Sequence, residues 1–503
     1  MLILPVKCNY IFVINNNIKM RKLNLITLTA ICSFLLFQNS NAQVELPAIL
    51  SSNMVMQRNS DVKLWGWADA KEKIKIEASW LDAVLELEAD NEGSWAVVVK
   101  TTNSRAEQTI KITSKSSNII LQNILFGEVW LCSGQSNMWQ PMRGYGGQPT
   151  FRPVMSIAKS HNPNLRLFTV EKVGSKTPLK DVDKFKPWQK ATPESVSGFS
   201  AVAYYFGEQL QEILDVPVGL IHTSWGGSSV QAWMSNEVMS TFETVNLEDV
   251  DIKKRTNRIP TALFNSMINP LIPYAIKGAL WYQGESNRTE PENYKKLFPA
   301  MVKDWRTRWN IGEFPFYYVQ IAPYLYGDNN VFQKYENSAF IREAQLQCLD
   351  LIPNSGIAIT LDLGEKNFIH PPKKKEVADR LLLNALNQTY GFKTVDGASP
   401  IYDSQEIKDN SIILTFKNAE KGLYTFDKLE GFVIAGNDKV FYPANATIHR
   451  GRLVSVSSEE VPNPVAVRYA WRNWVVGTLY DTNLLPASSF RTDDWDDAKK
   501  AEN

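Results

Sequence analysis

Between about residues 126 and 391 the chain repeats one pattern, a short continuous apolar run followed by an amphipathic helical stretch. The apolar runs are "EVWLCSG", "VGLIHTSWGG", "IKGALWYQGESN", "FPFYYVQIAP" and "SGIAITLDLGE". Between them stand "SAVAYYFGEQLQEIL", with Val202, Phe206, Leu210 and Ile213 on one face, then "ENYKKLFPAMVKDWRTRW" and "NSAFIREAQLQCL". "KKKEVADRLLLNALNQTYG" closes the series. Strands apolar on both sides must be covered on both faces, and strand–helix–strand order makes neighbouring strands parallel. The expected fold class is therefore α/β, a parallel sheet in a three-layer α/β/α arrangement. In such sheets ligands gather beyond the carboxyl ends of the strands.

The flanks read differently. From about residue 43 to 125 short alternating runs such as "DVKLWGWA", "KIKIEASW" and "SWAVVVK" are punctuated by Asn, Gly, Asp and Ser, the pattern of a small β-sandwich. A second β module is expected over 392–492, from "SIILTFKN", "GFVIAG", "RLVSVSS" and "AVRYAWRNW", and a charged tail over 493–503 is expected to fray. Residues 1–42 read as a leader whose true start is Met20: a basic beginning, an apolar stretch from about Leu23 to Phe37, then the small-x-small pattern Ser40-Asn41-Ala42. The expectation is an exported chain, periplasmic or extracellular, with no stable membrane span after the leader is cleaved. Lys+Arg and Asp+Glu number 54 and 53, so no global field recruits nucleic acid. Cys132 and Cys348 are the two cysteines outside the leader; no Cys/His spacing marks a metal site, and buried free thiols are expected.

Each distinctive polar cluster of the central region falls where a strand ends. Ser136 follows "VWLCSG", Gly226 and Gly227 follow "LIHTSW", and Gln283, Gly284 and Glu285 follow "ALWY". Asp362 and Glu365 follow "IAIT", with His370 five residues beyond Glu365. A serine hydroxyl needs an adjacent base to act as a nucleophile. Of four histidines, His161 lies in a polar loop and His449 in the C-terminal β module. His222 has the surroundings of a satisfied, buried imidazole, which leaves His370, on a turn stiffened by two prolines, as the candidate base. Candidate donors to an oxyanion are the N–H of Ser136, that of Gly226 or Gly227, and the amide of Gln283. Trp139, Trp225, Glu285 and Asn287 stand beside these strand ends as candidate substrate contacts. The G-x-S-x-G elbow is absent, since residues 134–138 read G-Q-S-N-M. Asp362 and Glu365 share one loop, unlike the flanking carboxylates of a glycosidase.

Six stretches in this order, "GEVWLCSGQSNM", "SWGGSSVQAW", "FNSMINPL", "GALWYQGESN", "IREAQ" and "IHPPKK", closely resemble the sialate O-acetylesterase family of the SGNH hydrolase superfamily. The likeness runs from about Leu46 to Thr492. It implies a flavodoxin-like three-layer fold, Ser136 as nucleophile and His370 as general base, with a block-II glycine at 226 or 227. Gln283 stands where most SGNH enzymes carry a third-block asparagine. The implied substrate is an O-acetylated carbohydrate, sialic acid first, with acetylated xylan or another glycan as the alternative. No metal or organic cofactor is implied. The chain departs from the superfamily's D-x-x-H pattern, because Asn367 holds the position of the triad acid. Asp362 is then the first candidate for that acid and Glu365 the second. The same departure leaves open a catalytically inactive carbohydrate-binding protein on a hydrolase scaffold.

Overall fold

The computed structural model describes residues 43–329, 333–496 and 498–500; the expected leader lies outside them. The N-terminal module contains β1 (Val55–Gln57), β2 (Asp61–Trp67), β3 (Lys73–Ala78), β4 (Leu85–Glu88), β5 (Ser94–Lys100) and β6 (Gln108–Thr113). In β3 burial alternates strictly, with Ile74, Ile76 and Ala78 inward and Lys73, Lys75 and Glu77 outward. That is the period-two signature of a strand with one dry face.

No linker separates this module from the central sheet. One long strand, β7 (Asn118–Gly134), pairs antiparallel with β6 through its first half and enters the parallel sheet with its second. The expected boundary between residues 125 and 126 thus falls inside a strand. The transition is marked by Asn123, whose φ of +56° puts it in the left-handed region that asparagine tolerates. Its side chain is held by Asn53 and by Arg166, at 2.6 and 3.0 Å.

The central sheet continues with β8 (Asn162–Val170), β9 (Phe185–Ala191), β10 (Val218–Ser224), β11 (Gly278–Tyr282), β12 (Phe316–Val319) and β13 (Ser355–Ala358). Its order is β13-β12-β11-β7-β10-β8-β9, parallel except for the edge strand β9. Strands β8 and β9 arise from a segment that reads as polar in the sequence. From β7 the chain passes through β8, β9 and β10 on one side and then to β11 on the other, so the winding direction reverses around β7. Such a switch point opens a crevice at the carboxyl ends of the strands.

Five helices matter for the site: α1 (Ser136–Trp139), α2 (Ala201–Leu214), α3 (Pro291–Trp309), α4 (Ala339–Gln347) and α5 (Lys374–Asn384). The Ser200 hydroxyl caps α2 by accepting the Ala203 N–H. Its apolar face buries Val202, Phe206 and Leu210, whereas Ile213 in the last turn remains 45% exposed. Helices α2 and α5 cover one side of the sheet, against Leu220, Leu280 and Val319. Helices α3 and α4 cover the other, where Phe298, Trp305 and Ile341 meet Trp281, Phe316 and Tyr318. The three-layer α/β/α architecture is thereby complete. No helix among the described residues is long and apolar enough to cross a membrane. Cys132 and Cys348 are both buried and unpaired, and burial raises both thiol pKa values.

The C-terminal module consists of mainly antiparallel sheets, one of four strands within 401–457. Part of the tail is ordered against it. Asp493 receives a forked bond from the buried Arg468, and Lys499–Lys500 pairs with Val440–Phe441. A charged tail held by a buried guanidinium does not fray at that point. The module is joined to the α/β core by Arg342 of α4, which is fully buried. Its guanidinium donates to the carbonyls of Ala470 and Arg472 (3.1 and 2.7 Å) and to the hydroxyls of Ser338 and Ser489 (both 3.1 Å). Replacing it takes the donor from the Arg472 carbonyl and from the Ser489 hydroxyl, while the Ala470 carbonyl keeps the Arg472 N–H at 3.0 Å; each polar group left unsatisfied costs about 1–3 kcal/mol. Arg342→Met is expected to lower stability by about 3 kcal/mol, read as a shift in the urea unfolding midpoint of the intact chain.

Candidate active site

The site is built where β7 ends. Gly134 has φ +136°, and a Cβ there would stand 2.3 Å from the Tyr282 carbonyl oxygen, so glycine alone lets β7 close against β11. The next amide, Gln135 N–H, donates to that same carbonyl at 2.9 Å. Ser136 then opens the one-turn α1. The N–H groups of Met138 and Trp139 return to the Gln135 carbonyl, which leaves those of Ser136 and Asn137 without an intrahelical acceptor. Ser136 itself is partly open to solvent.

The neighbouring strand end supplies a tight turn. After β10, Trp225 N–H donates to the Gly134 carbonyl and Ser228 N–H to that of Trp225. Gly227, at φ +72°, occupies the position of this turn that demands a left-handed residue. Gly226 packs against the serine, so that a Cβ added to it would lie 3.2 Å from Ser136 Cβ. The two glycines therefore have different reasons: backbone conformation for Gly227, proximity to Ser136 for Gly226.

His370 arrives from the loop before α5 and is half-buried. Three contacts bring it to the same side of the molecule as Ser136. The Asn137 side-chain amide donates to the carbonyl of Ile369 at 3.1 Å. Tyr145 donates its phenol to the Ser136 carbonyl at 2.9 Å while its ring meets the imidazole edge-on at 5.2 Å. The Phe151 N–H donates to the Pro372 carbonyl at 2.8 Å. Among the described residues, Ser136 Oγ and the imidazole form no hydrogen bond with each other. His370 Nδ1 instead meets Gln148 Oε1 at 2.6 Å. Burial, and then the charge of Lys374, push the imidazole down to about 4.

Gln148 was invisible to sequence reasoning, since it lies in the small, flexible-looking run "GYGGQP" with no motif around it. It makes the hydrogen bond to Nδ1 that was expected of an acid, and neither candidate acid makes one. Both Asp362 oxygens take a fork from Arg380, each at 2.7 Å, which commits that carboxylate to the α5 guanidinium. Glu365 is partly exposed on the loop and forms no hydrogen bond with His370. Asn367 is exposed.

Gln283 also differs from expectation. It is fully buried, and its amide protons go to the Ser228 carbonyl (3.0 Å) and Asn287 Oδ1 (2.7 Å), so none is left for an oxyanion. Asn287, likewise fully buried, is oriented by the Val230 N–H on its oxygen and by Gln231 on its nitrogen. Glu285 is 7% exposed and accepts a bond from Asn137. These last two brace the loops behind Ser136, with Glu285 Oε2 left without a hydrogen-bond partner among the described residues. Trp139 and Trp225 keep part of their surface open. The Lys172 ammonium sits 3.9 Å over the Trp139 ring, and Trp139 lines a cavity of about 480 Å³ with Arg143, Lys186 and Gln189. His222 is buried and bonded to Ser224 Oγ at 2.7 Å, as a satisfied structural imidazole. A larger cavity, about 790 Å³ and lined by Arg58, Glu128 and Lys277, opens at the amino ends of the strands and is remote from this chemistry.

A flavodoxin-like sheet with a serine, two glycines and a histidine gathered at its switch point defines the class, an α/β ester hydrolase. A profile described as "Carbohydrate esterase, sialic acid-specific acetylesterase" matches residues 126–377. The chain is 26% identical to the sialate O-acetylesterase of Homo sapiens, with 88% of this chain and 91% of that one covered, and 27% identical to that of Mus musculus, with 76% and 80% covered. The crystal structure of a carbohydrate acetylesterase from Xanthomonas citri superimposes with a TM-score of 0.81 at 30% identity, covering 90% of this chain and all of that one. The chain belongs to the sialic acid-specific acetylesterase family of carbohydrate esterases.

Two expectations follow for hydrolysis of a small acetyl ester. Since His370 is neutral above about pH 4, kcat/KM should hold from neutrality down toward pH 5 and fall as pH drops through about 4. Gly226→Ala should fold, because its Cβ meets only Ser136, yet lower kcat about tenfold or more by displacing the serine; the melting temperature and kcat measured together check this.

Proposed function

We propose that the protein is an exported sialate O-acetylesterase with Ser136 as nucleophile and His370 as general base. The observation that carries this reading is the placement of Ser136 at the switch point, with Gly226 against its Cβ and Tyr145 bridging it to His370. Ser136 Oγ attacks the acetyl carbonyl carbon as its proton passes to His370 Nε2. The resulting oxyanion accepts bonds from the N–H groups of Ser136 and Gly226, each worth ~10²–10³ in rate. Collapse breaks the bond to the sugar oxygen, which takes the proton from Nε2. Water then attacks the acyl-serine, again with His370 as base, and acetate leaves. Export rests on the leader read in residues 1–42.

Gln148 completes this arrangement in place of an acid. Its carbonyl oxygen accepts the Nδ1 proton, which selects the tautomer with a free lone pair on Nε2. A neutral amide orients the ring but lends no charge to the imidazolium, consistent with an imidazole of low basicity. The sugar itself rests on the mammalian relatives. A wider glycan range is supported by the Xanthomonas citri structure, whose name specifies only a carbohydrate acetylesterase.

Acetate release from O-acetylated sialosides should exceed that from acetylated xylo-oligosaccharides; the reverse order would shift the assignment to another glycan. Ser136→Ala should abolish turnover of both, and equal rates for the variant and the parent would remove Ser136 from the reaction. Gln148→Ala is expected to lower kcat about tenfold to a hundredfold by releasing the imidazole. Gln148→Glu should move the acid limb of the pH profile upward, as a carboxylate beside Nδ1 favours the protonated ring.

A further inference from the structure

Only the middle member of the "KKK" run after the histidine is inside the protein. Lys373 and Lys375 are exposed, whereas Lys374 is fully buried at the first position of α5. Both circumstances disfavour a cation there: burial removes its water, and the helix N-terminus is the positive end of the dipole. A lysine kept in such a place calls for an account, and its contacts supply one. Lys374 Nζ donates to Asn137 Oδ1. The nitrogen of that same amide donates to Glu285 and to the carbonyl of Ile369. Asn137 follows the serine directly, and Ile369 precedes the histidine directly. One amide thus holds the ends of β7, of β11 and of the histidine loop, and Lys374 fixes which way that amide faces.

We propose that Lys374 is a positioning residue of the hydrolytic site, which aligns Ser136 with His370 through Asn137 and places its ammonium beside the histidine loop. The inference rests on the Ser136–His370 reading. The groups that face His370 are the Tyr145 ring and Gln148 amide from one loop and Lys374 from α5, with Glu285 beyond Asn137. Glu285 is the counter-charge of Lys374, and the Tyr282 ring lies 5.4 Å from the ammonium. Burial raises the Glu285 carboxyl, while Lys374 is pushed down to about 7. In acid, therefore, Lys374 carries its proton while Glu285 is tending to neutrality. The lysine charge is then the one that opposes protonation of His370.

Two substitutions separate its parts. Lys374→Met removes the donor and the charge, whereas Lys374→Gln removes the charge and keeps an N–H for Asn137 Oδ1. The measurements are kcat and KM on 4-nitrophenyl acetate across pH, normalised to active sites titrated with a fluorophosphonate. Lys374→Met is expected to lower kcat per active site tenfold or more with KM within twofold. Both variants should move the acid limb of kcat/KM upward by at least half a pH unit. Glu285→Gln should leave that limb in place. A lysine needed only for folding would reduce the titratable fraction and move neither kcat per site nor the limb, and that result overturns the proposal. If Lys374→Met does not fold, an unmoved limb in Lys374→Gln does the same. A parent protein inert toward the ester, or a fully active Ser136→Ala, would instead reject the Ser136–His370 reading itself.

Discussion

The site depends on one close approach, the end of β7 against the carbonyl of Tyr282. That oxygen takes the Gln135 N–H at 2.9 Å and tolerates no Cβ on Gly134. Because β7 stops there, the chain turns at once into α1, and Ser136 stands at the top of the sheet with its backbone N–H unclaimed by the helix. The same Gly134 supplies its own carbonyl to Trp225, which seats the glycine turn of β10 beside the serine. Three strands thus converge on two backbone residues. A bulkier residue at 134 would displace all of them together, since a strand edge closed by backbone contact has no flexible side chain to yield.

Behind that seam lies a polar layer with almost no access to water. Gln283, Asn287, Asn137, Glu285 and Lys374 are all buried and tied to one another or to backbone carbonyls. Gln283 Oε1 and Glu285 Oε2 have no hydrogen-bond partner among the described residues, but the remaining bonds are enough to tie the layer together, and a bonded polar network rigidifies what it touches. Here it touches the loops that carry Ser136 and His370. The "QGESN" stretch therefore stands behind Ser136 and braces the floor of the site.

The legible part of this protein was what repeats or what stands alone. Continuous apolar runs alternating with amphipathic helices announce a two-sided parallel sheet, and Ser136, Gly226 and His370 fall at strand ends or on a stiffened loop beside them. Strand β7 was harder, because the pattern changes near residue 126, in the middle of the strand, and only the shared backbone joins its two halves into one. Side-chain direction was not legible at all. Asp362 follows a strand just as an acid should, but α5 presents Arg380 at the distance that claims both its oxygens. Gln283 and Asn287 sit in the right motif, but they bond each other, four residues apart, and the segment that follows β10. Gln148 carries no motif because its task needs one carbonyl oxygen at one point, which any residue on a suitably folded loop can supply.

The exchange of an acid for Gln148 has a physical counterpart elsewhere in the site. A carboxylate beside Nδ1 raises the basicity of an imidazole, whereas burial and a neighbouring cation lower it. This site has the second pair of influences without the first: His370 is half-buried, Lys374 is close, and an amide stands at Nδ1. The first two favour the neutral ring, and the amide brings no negative charge to oppose them. With His370 as the proposed base, the arrangement keeps the neutral ring available far into acid, at the expense of the charge stabilisation that an acid gives when the proton arrives. For an ester, whose alkoxide leaving group is easier to expel than an amine, a weaker base with a well-held tautomer is sufficient. The alignment of the ring then matters more than its proton affinity, and alignment is what Tyr145, Gln148 and the Asn137 amide each provide.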